Sequence, residues 1–260
     1  MFRISWRPLD GWRRFFGEVG IIILGVLVAL GLGAIATEIA WRTDVRQSRD
    51  ALSYELGEAI GQGRERVNVA PCIEGRLDQL AQIVSDAERD GRLPPLGDIK
   101  QPPWRTWNSG IWDSAVAART ASHFPRKEAI GLVSFYEFVG MLRTVNAREL
   151  DAWTRLHTLV GPGRRFGPEV AARMHAAIGE ARFLHRFMAL SSIRADQIAS
   201  AYTLRHDDRT AREYSDKPLS AAQICGPISP QAASAYGQAP FNNIIERAKS
   251  SPTSGLSGGN

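Results

Sequence analysis

The sequence predicts an all-α protein: one N-terminal transmembrane helix, then an antiparallel helical bundle with a long helical hairpin, then a flexible C-terminal tail. Three observations carry this. Val19 to Ala36 is an unbroken apolar run. Residues 125–206 show helical apolar spacing on both sides of one Gly/Pro turn. No comparable stretch alternates apolar and polar residues with the period of two that marks a strand. The chain has 260 residues, 23% charged and 44% hydrophobic, enough for one domain with its own core. The expected division is a cytoplasmic segment at 1–17, an anchor at 18–40, an exposed helical domain at 41–228 and a mostly flexible tail at 229–260.

The first element could be a cleaved export signal or a permanent anchor. Arg3, Arg7, Arg13 and Arg14 precede the apolar run, and Ala34-Ile35-Ala36 offers a cleavage site after it. Arg13-Arg14-Phe15-Phe16 resembles part of a twin-arginine signal, but Gly17 and Glu18 stand where that signal prefers an apolar residue and Lys. The run is longer than a signal core of about 7–15 residues. At ~1.5 Å per residue it spans about 27 Å, close to the hydrocarbon thickness of a bilayer. Glu18 and Glu38 bracket it, and Trp12 and Trp41 sit where an interfacial aromatic belt would. The expectation is a retained anchor. Arg13, Arg14, Glu18, Trp41 and Arg42 are its interface residues, with Glu18 and Arg14 spaced to pair at i,i+4. Gly25, Ala29, Gly33 and Thr37 place small side chains on one helix face, a pattern that lets two helices approach closely.

The string from Gly17 to Gly31, GEVGIIILGVLVALG, resembles the N-terminal anchor of a set of bacterial single-pass membrane proteins whose function is uncharacterised. They read Gly-Glu, apolar residues, V-L-G-V-L-I-A-L, then a Trp and a charged helix. The likeness covers residues 13–56, and Glu18 matches the acidic position. It implies an uncleaved anchor and an exposed helical domain, and no activity.

Beyond the anchor, Trp41, Val45, Leu52, Leu56, Ile60 and Val67 continue an imperfect helical stripe, which Gly61 and Gly63 weaken and Ala70-Pro71 interrupts. A second helix is expected over 72–90, with Ile73, Leu77, Leu80 and Val84 on one face and Gly91 after its last turn. The proline-rich GRLPPLGDIKQPP is a connector, neither helical nor a central strand. Trp104, Trp107 and Trp112 follow within nine residues. They are either an aromatic wall around a ligand or a hydrophobic plug at one end of the bundle, packing being the commoner use of buried aromatics. Ser109 is a candidate cap for a short helix from about 110 to 120.

Pro125 opens a long helix with apolar positions from Ile130 to Val160. Gly161-Pro162-Gly163 ends it, and Gly167-Pro168 opens the next, with Pro in the first turn. Two helices of roughly 35–39 residues, each on the order of 50 Å long, must fold back on each other. HDDRTAREYSDKPLS is polar, FNNIIERA offers a last helical turn or two, and SSPTSGLSGGN is low in complexity.

Cys72 and Cys225 have no metal-ligand spacing around them. They are two buried thiols in a reducing compartment, or one long-range bridge worth about 4–5 kcal/mol in an oxidising one. GPGRRFG is not a phosphate loop, since it lacks GxxxxGK[ST] and joins two helices. The five histidines show no Glu-x-x-His spacing, and HExxH, GxSxG and CxxCH are absent. Net charge is +5, but Arg and acids interleave, so there is no basic block to track a nucleic-acid backbone.

The function expected is therefore a non-enzymatic, membrane-anchored binding, scaffold or accessory protein of a bacterial inner membrane, without cofactor or metal. Its partners would be membrane lipids and either a protein partner or a second copy, not nucleic acid. The positive-inside bias of the first 14 residues and a possible Cys72–Cys225 bridge favour a cytoplasmic N-terminus and a periplasmic domain. The alternatives are a periplasmic ligand sensor that passes its signal to a partner protein, and an enzyme acting near the bilayer.

Overall fold

The computed structural model describes residues 11–218 and 223–228; the predicted tail at 229–260, including FNNIIERA, lies outside them. The protein is all-α. Among the described residues the helices are α1 (Gly11–Asn68), α2 (Ala70–Asp90), α3 (Gly110–Ala117), α4 (Arg126–His157), α5 (Pro168–Ala201) and α6 (Asp208–Ser215), with a 3₁₀ turn at Thr120–His123 between α3 and α4 and another at Gln223–Cys225 after α6. Two short strands, β1 (Arg92–Leu93) and β2 (Arg164–Arg165), pair antiparallel.

α1 is a single helix of 58 residues. Between Glu18 and Glu38 it is apolar on every face and packs against none of the other described residues: Ile21, Leu24, Leu27, Leu30, Leu32 and Ile35 are all exposed. Among the described helices this is the one long and apolar enough to cross a membrane. Its second half becomes the spine of the bundle, burying Leu52, Leu56, Ala59 and Ile60.

The Ala70-Pro71 interruption is a joint and not a turn. Pro71 has no N–H to give, but the Val69 N–H still reaches the Glu65 carbonyl at 3.0 Å and the Ile73 N–H reaches that of Val69 at 3.1 Å. α2 therefore carries on in the direction of α1. The pairings along α5 show it: Arg64 meets Asp196, Arg66 meets His185, Glu74 meets Arg182 and Glu88 meets His175. From Arg64 to Glu88 along α1 and α2, the partners on α5 run back from Asp196 to His175. At ~1.5 Å per residue the rod from Trp41 to Asp90 is about 75 Å long.

The predicted hairpin forms, with helices of 32 and 34 residues. α4 runs parallel to α1, with Arg49 bonded to Glu128 and Arg66 to Glu149, and α5 returns along the rod. The connector supplies a clamp that the proline count conceals. β1 pairs Arg92 with Arg165 and Leu93 with Arg164, and Leu96 and Gly161 exchange both backbone hydrogen bonds at 2.9 Å. The hairpin tip is thus tied to the end of α2, where Gly91 adopts the left-handed cap conformation. One apolar core runs the length of these helices, with Ile73, Leu77, Leu80, Val84, Phe135, Leu142, Trp153 and Leu156 inside it.

The polar stretch after Arg205 contains a helix that apolar periodicity does not reveal. α6 begins at the cap residue Asp207, whose Oδ1 accepts from the Thr210 N–H at 2.7 Å. It lies on α1 where two glycines open the surface. A Cβ at Gly57 would stand 2.5 Å from the Asp207 carbonyl oxygen, and one at Gly61 would stand 2.5 Å from that of Ala211. Gly57 and Gly61, one helical turn apart, are the seat of α6. At Gly63 the approach is looser, a Cβ there standing 3.3 Å from the Ser192 side chain on α5.

Candidate functional site

The stripe of α1 is imperfect because Glu55, Gln62, Glu65 and Arg66 share it with the leucines, and all four are buried. Each carboxylate among them holds a different element. Glu55 accepts the N–H groups of Ile111 at 2.8 Å and Trp112 at 3.2 Å, and the Tyr136 hydroxyl at 2.7 Å. It therefore caps α3 from a distant helix. Ser109 stands at the cap position but donates its hydroxyl to Asp113 instead. Burial first, then the Glu55 charge, pushes the Tyr136 phenol well above its ordinary range. Glu65 receives Arg105 in a two-pronged bond at 2.6 and 2.7 Å, fixing the connector to the spine.

Arg66 and Glu149 form a two-pronged pair inside the bundle, one bond being 2.8 Å. Arg66 also donates to His185 Nδ1 at 3.0 Å, which places the imidazole proton on Nε2, facing Glu74 at 3.9 Å. Glu74 in turn takes Arg182 at 2.9 Å and Arg186 at 2.6 Å. One chain of charged and polar side chains thus crosses α4, α1, α5 and α2. Burial first, then the Arg66 charge, lowers the His185 pKa to about 4, so the ring is neutral at pH 7. It is 2% exposed, out of reach of a substrate. The layer ties four helices together through side chains on each.

The three tryptophans go to three places. Trp107 is buried with a left-handed backbone (φ 51°), its carbonyl held by Arg143 at 2.6 and 2.9 Å. Trp112 is half-buried and stacks on Tyr136, centroids 5.3 Å apart and planes 3° apart. Trp104 is 52% exposed, beside Pro102, Pro103, Leu150 and Trp153. Among the described residues no group of three His, Cys, Asp or Glu side chains is placed to hold a metal ion.

Cys72 and Cys225 are joined in a disulfide. Arg76, one turn along α2, adds a second tie to the same segment through the carbonyls of Ile224 and Gly226, and donates as well to that of Ile99 in the connector. Its guanidinium is buried, and that burial lowers its pKa.

On the apolar half of α1, Gly25 and Gly33 have no neighbouring atoms within 4 Å of a Cβ, and the Thr37 hydroxyl turns back to the Gly33 carbonyl at 2.9 Å. Ala29, between them on the helix, is exposed too, so none of the other described residues covers this small-residue face. Glu18 is exposed on α1. The side chains of Arg13 and Arg14, and with them the expected Glu18–Arg14 pair, lie outside the described residues. At the other end of the apolar run, Arg42 Nε donates to Glu38 at 2.8 Å, and Trp41 stacks on His123 at 4.1 Å. The bundle therefore begins directly where the apolar run stops.

No protein-family model, curated protein or solved structure matches the chain.

The buried charged layer is the part that sequence reading missed. The available signal was position: Glu55, Gln62 and Arg66 fall at helical spacing within the stripe Leu52, Leu56, Ala59. A charge in such a register must find a partner, but which of the chain's carboxylates serves is a tertiary fact.

Proposed function

We propose that the protein is a non-enzymatic, membrane-anchored helical scaffold or binding protein of a bacterial inner membrane, its N-terminus cytoplasmic and its bundle periplasmic. The observation that carries this is the continuity of α1. An apolar half that no described residue covers passes without a break into the spine of the core. Such a half is stable only in a non-aqueous surrounding or against another helix. The Cys72–Cys225 bridge supports an oxidising compartment for the bundle. The Arg residues before the apolar run support a cytoplasmic N-terminus. The uncovered Gly25–Ala29–Gly33–Thr37 face supports association with a second copy or a partner's helix.

The test is cross-linking in membranes followed by affinity isolation in mild detergent. The expected product is a dimer or a stoichiometric partner, lost when Gly25→Leu and Gly33→Leu are combined. A lone monodisperse chain in several mild detergents overturns the reading. Thiol labelling of spheroplasts checks the placement: both cysteines stay unlabelled until a reductant is added.

A second reading, a sensor that passes a shift to a partner, draws support from the same continuity. A displacement of the bundle against α1 is mechanically a displacement of the apolar half. A ligand acting this way must bind two states of the bundle with different affinity.

A further inference from the structure

We propose that the membrane-proximal end of the bundle binds the phosphate of an anionic phospholipid headgroup, in a cavity built around Arg46; the proposal rests on α1 being a membrane anchor.

The cavity has a volume of about 410 Å³ and is lined by Trp41, Arg42, Arg46, Arg49, His123 and Arg205, with Glu38 and Asp50 also at its wall. Three segments far apart in sequence build it. The α1 residues at 42, 46 and 49 recur at i,i+4 and i,i+3, so they form one face. The 3₁₀ turn closes one side through the Trp41–His123 stack. The segment after α5 closes the other through Arg205, which reaches Asp50 at 3.1 Å.

Charge decides what fits. Arg42 is matched by Glu38, Arg49 by Glu128 and Arg205 by Asp50. Arg46 is exposed and has no acidic partner among the described residues. One guanidinium, with five N–H donors and no acceptor, is thus left over in a cationic cavity. Phosphate, like carboxylate, offers two oxygens to a guanidinium fork, and Arg42 and Arg205 can lend donors beside it.

Depth decides the source. The hydrocarbon-matched run ends at Ala36, and a headgroup layer is roughly 5–8 Å thick on each side. At ~1.5 Å per residue, Trp41 and Arg42 lie about 8–9 Å beyond Ala36 and Arg46 about 15 Å. Helical side chains tilt toward the helix N-terminus, which on α1 is toward the bilayer, so Arg46 reaches back down to the headgroups. The aromatic Trp41 stands at the level expected of an interfacial anchor.

The test is native mass spectrometry of the full chain released from detergent, titrated with phosphatidylglycerol or phosphatidylcholine. The expected result is one tightly held phosphatidylglycerol per chain, retained at least fivefold better than phosphatidylcholine. Arg46→Glu should abolish the preference, and Arg46→Lys should restore part of it, with circular dichroism unchanged in both. Equal retention of the two lipids, or a preference untouched by Arg46→Glu, overturns the proposal. So does displacement by 10 mM inorganic phosphate (about the concentration at which weak anion sites fill), which would assign the cavity to a soluble anion. Carbonate extraction of membranes is run in parallel. A chain that is washed off defeats the anchor reading itself, whereas a chain that stays but shows no lipid preference defeats this inference alone.

Discussion

Removing one half of the Arg66–Glu149 pair tests the core most severely. The two side chains are 3% and 4% exposed, so solvent cannot replace a lost partner. In Glu149→Leu, the Arg66 guanidinium keeps only the His185 ring nitrogen, and its Nε already lacks a bond. A buried charge stranded in this way costs about 3–5 kcal/mol. For a domain of this size that lowers Tm by about 6–20 °C. Combining Arg66→Met with Glu149→Leu takes both charges out at similar volume, and the expected loss shrinks to about 1–2 kcal/mol. The assay is urea unfolding of the full chain in mild detergent, followed by far-UV circular dichroism and tryptophan fluorescence. Wild type, both single variants and the double variant yield the coupling energy. A double variant that loses the sum of the two singles would falsify the view that these charges act as a unit.

Three further outcomes follow from the same geometry. His185 is neutral in both folded and unfolded chains above about pH 6.5. Below that the unfolded chain takes up a proton first, because the folded ring titrates only at about 4. Stability should therefore fall by about 3 kcal/mol between pH 6.5 and 4, and His185→Gln should flatten that part of the profile relative to wild type. Replacing both Cys72 and Cys225 by Ser reopens a loop whose ends are 153 residues apart, with an expected loss of about 5 kcal/mol in the chain-entropy model. Thermal melts with and without reductant read it, and wild type in reductant should match the variant. Gly61→Ala drives a Cβ into the backbone of Ala211, and α6 must shift at a cost of about 1–3 kcal/mol. Limited trypsin digestion should then cut first at Arg209 and Arg212, while Gly75→Ala, where a Cβ meets nothing within 4 Å, leaves the cleavage pattern unchanged.

Local chemistry was enough for much of this protein. An 18-residue apolar run, Pro168 in a first turn, Gly91 past a last turn and a Gly-Pro-Gly break each specify backbone geometry from nearest neighbours. They fix helix ends and force two long helices to fold back. Tertiary structure decided the rest, because the deciding forces act between residues that the sequence does not order. Whether Pro71 turns the chain or only kinks it depends on α5 lying along both halves of the rod. Whether Gly57 and Gly61 weaken a helix or seat another depends on α6, a helix too polar to announce itself. Which acid takes Arg66 depends on packing in three dimensions. Periodicity marks the face that must be buried, and it cannot say what that face will meet.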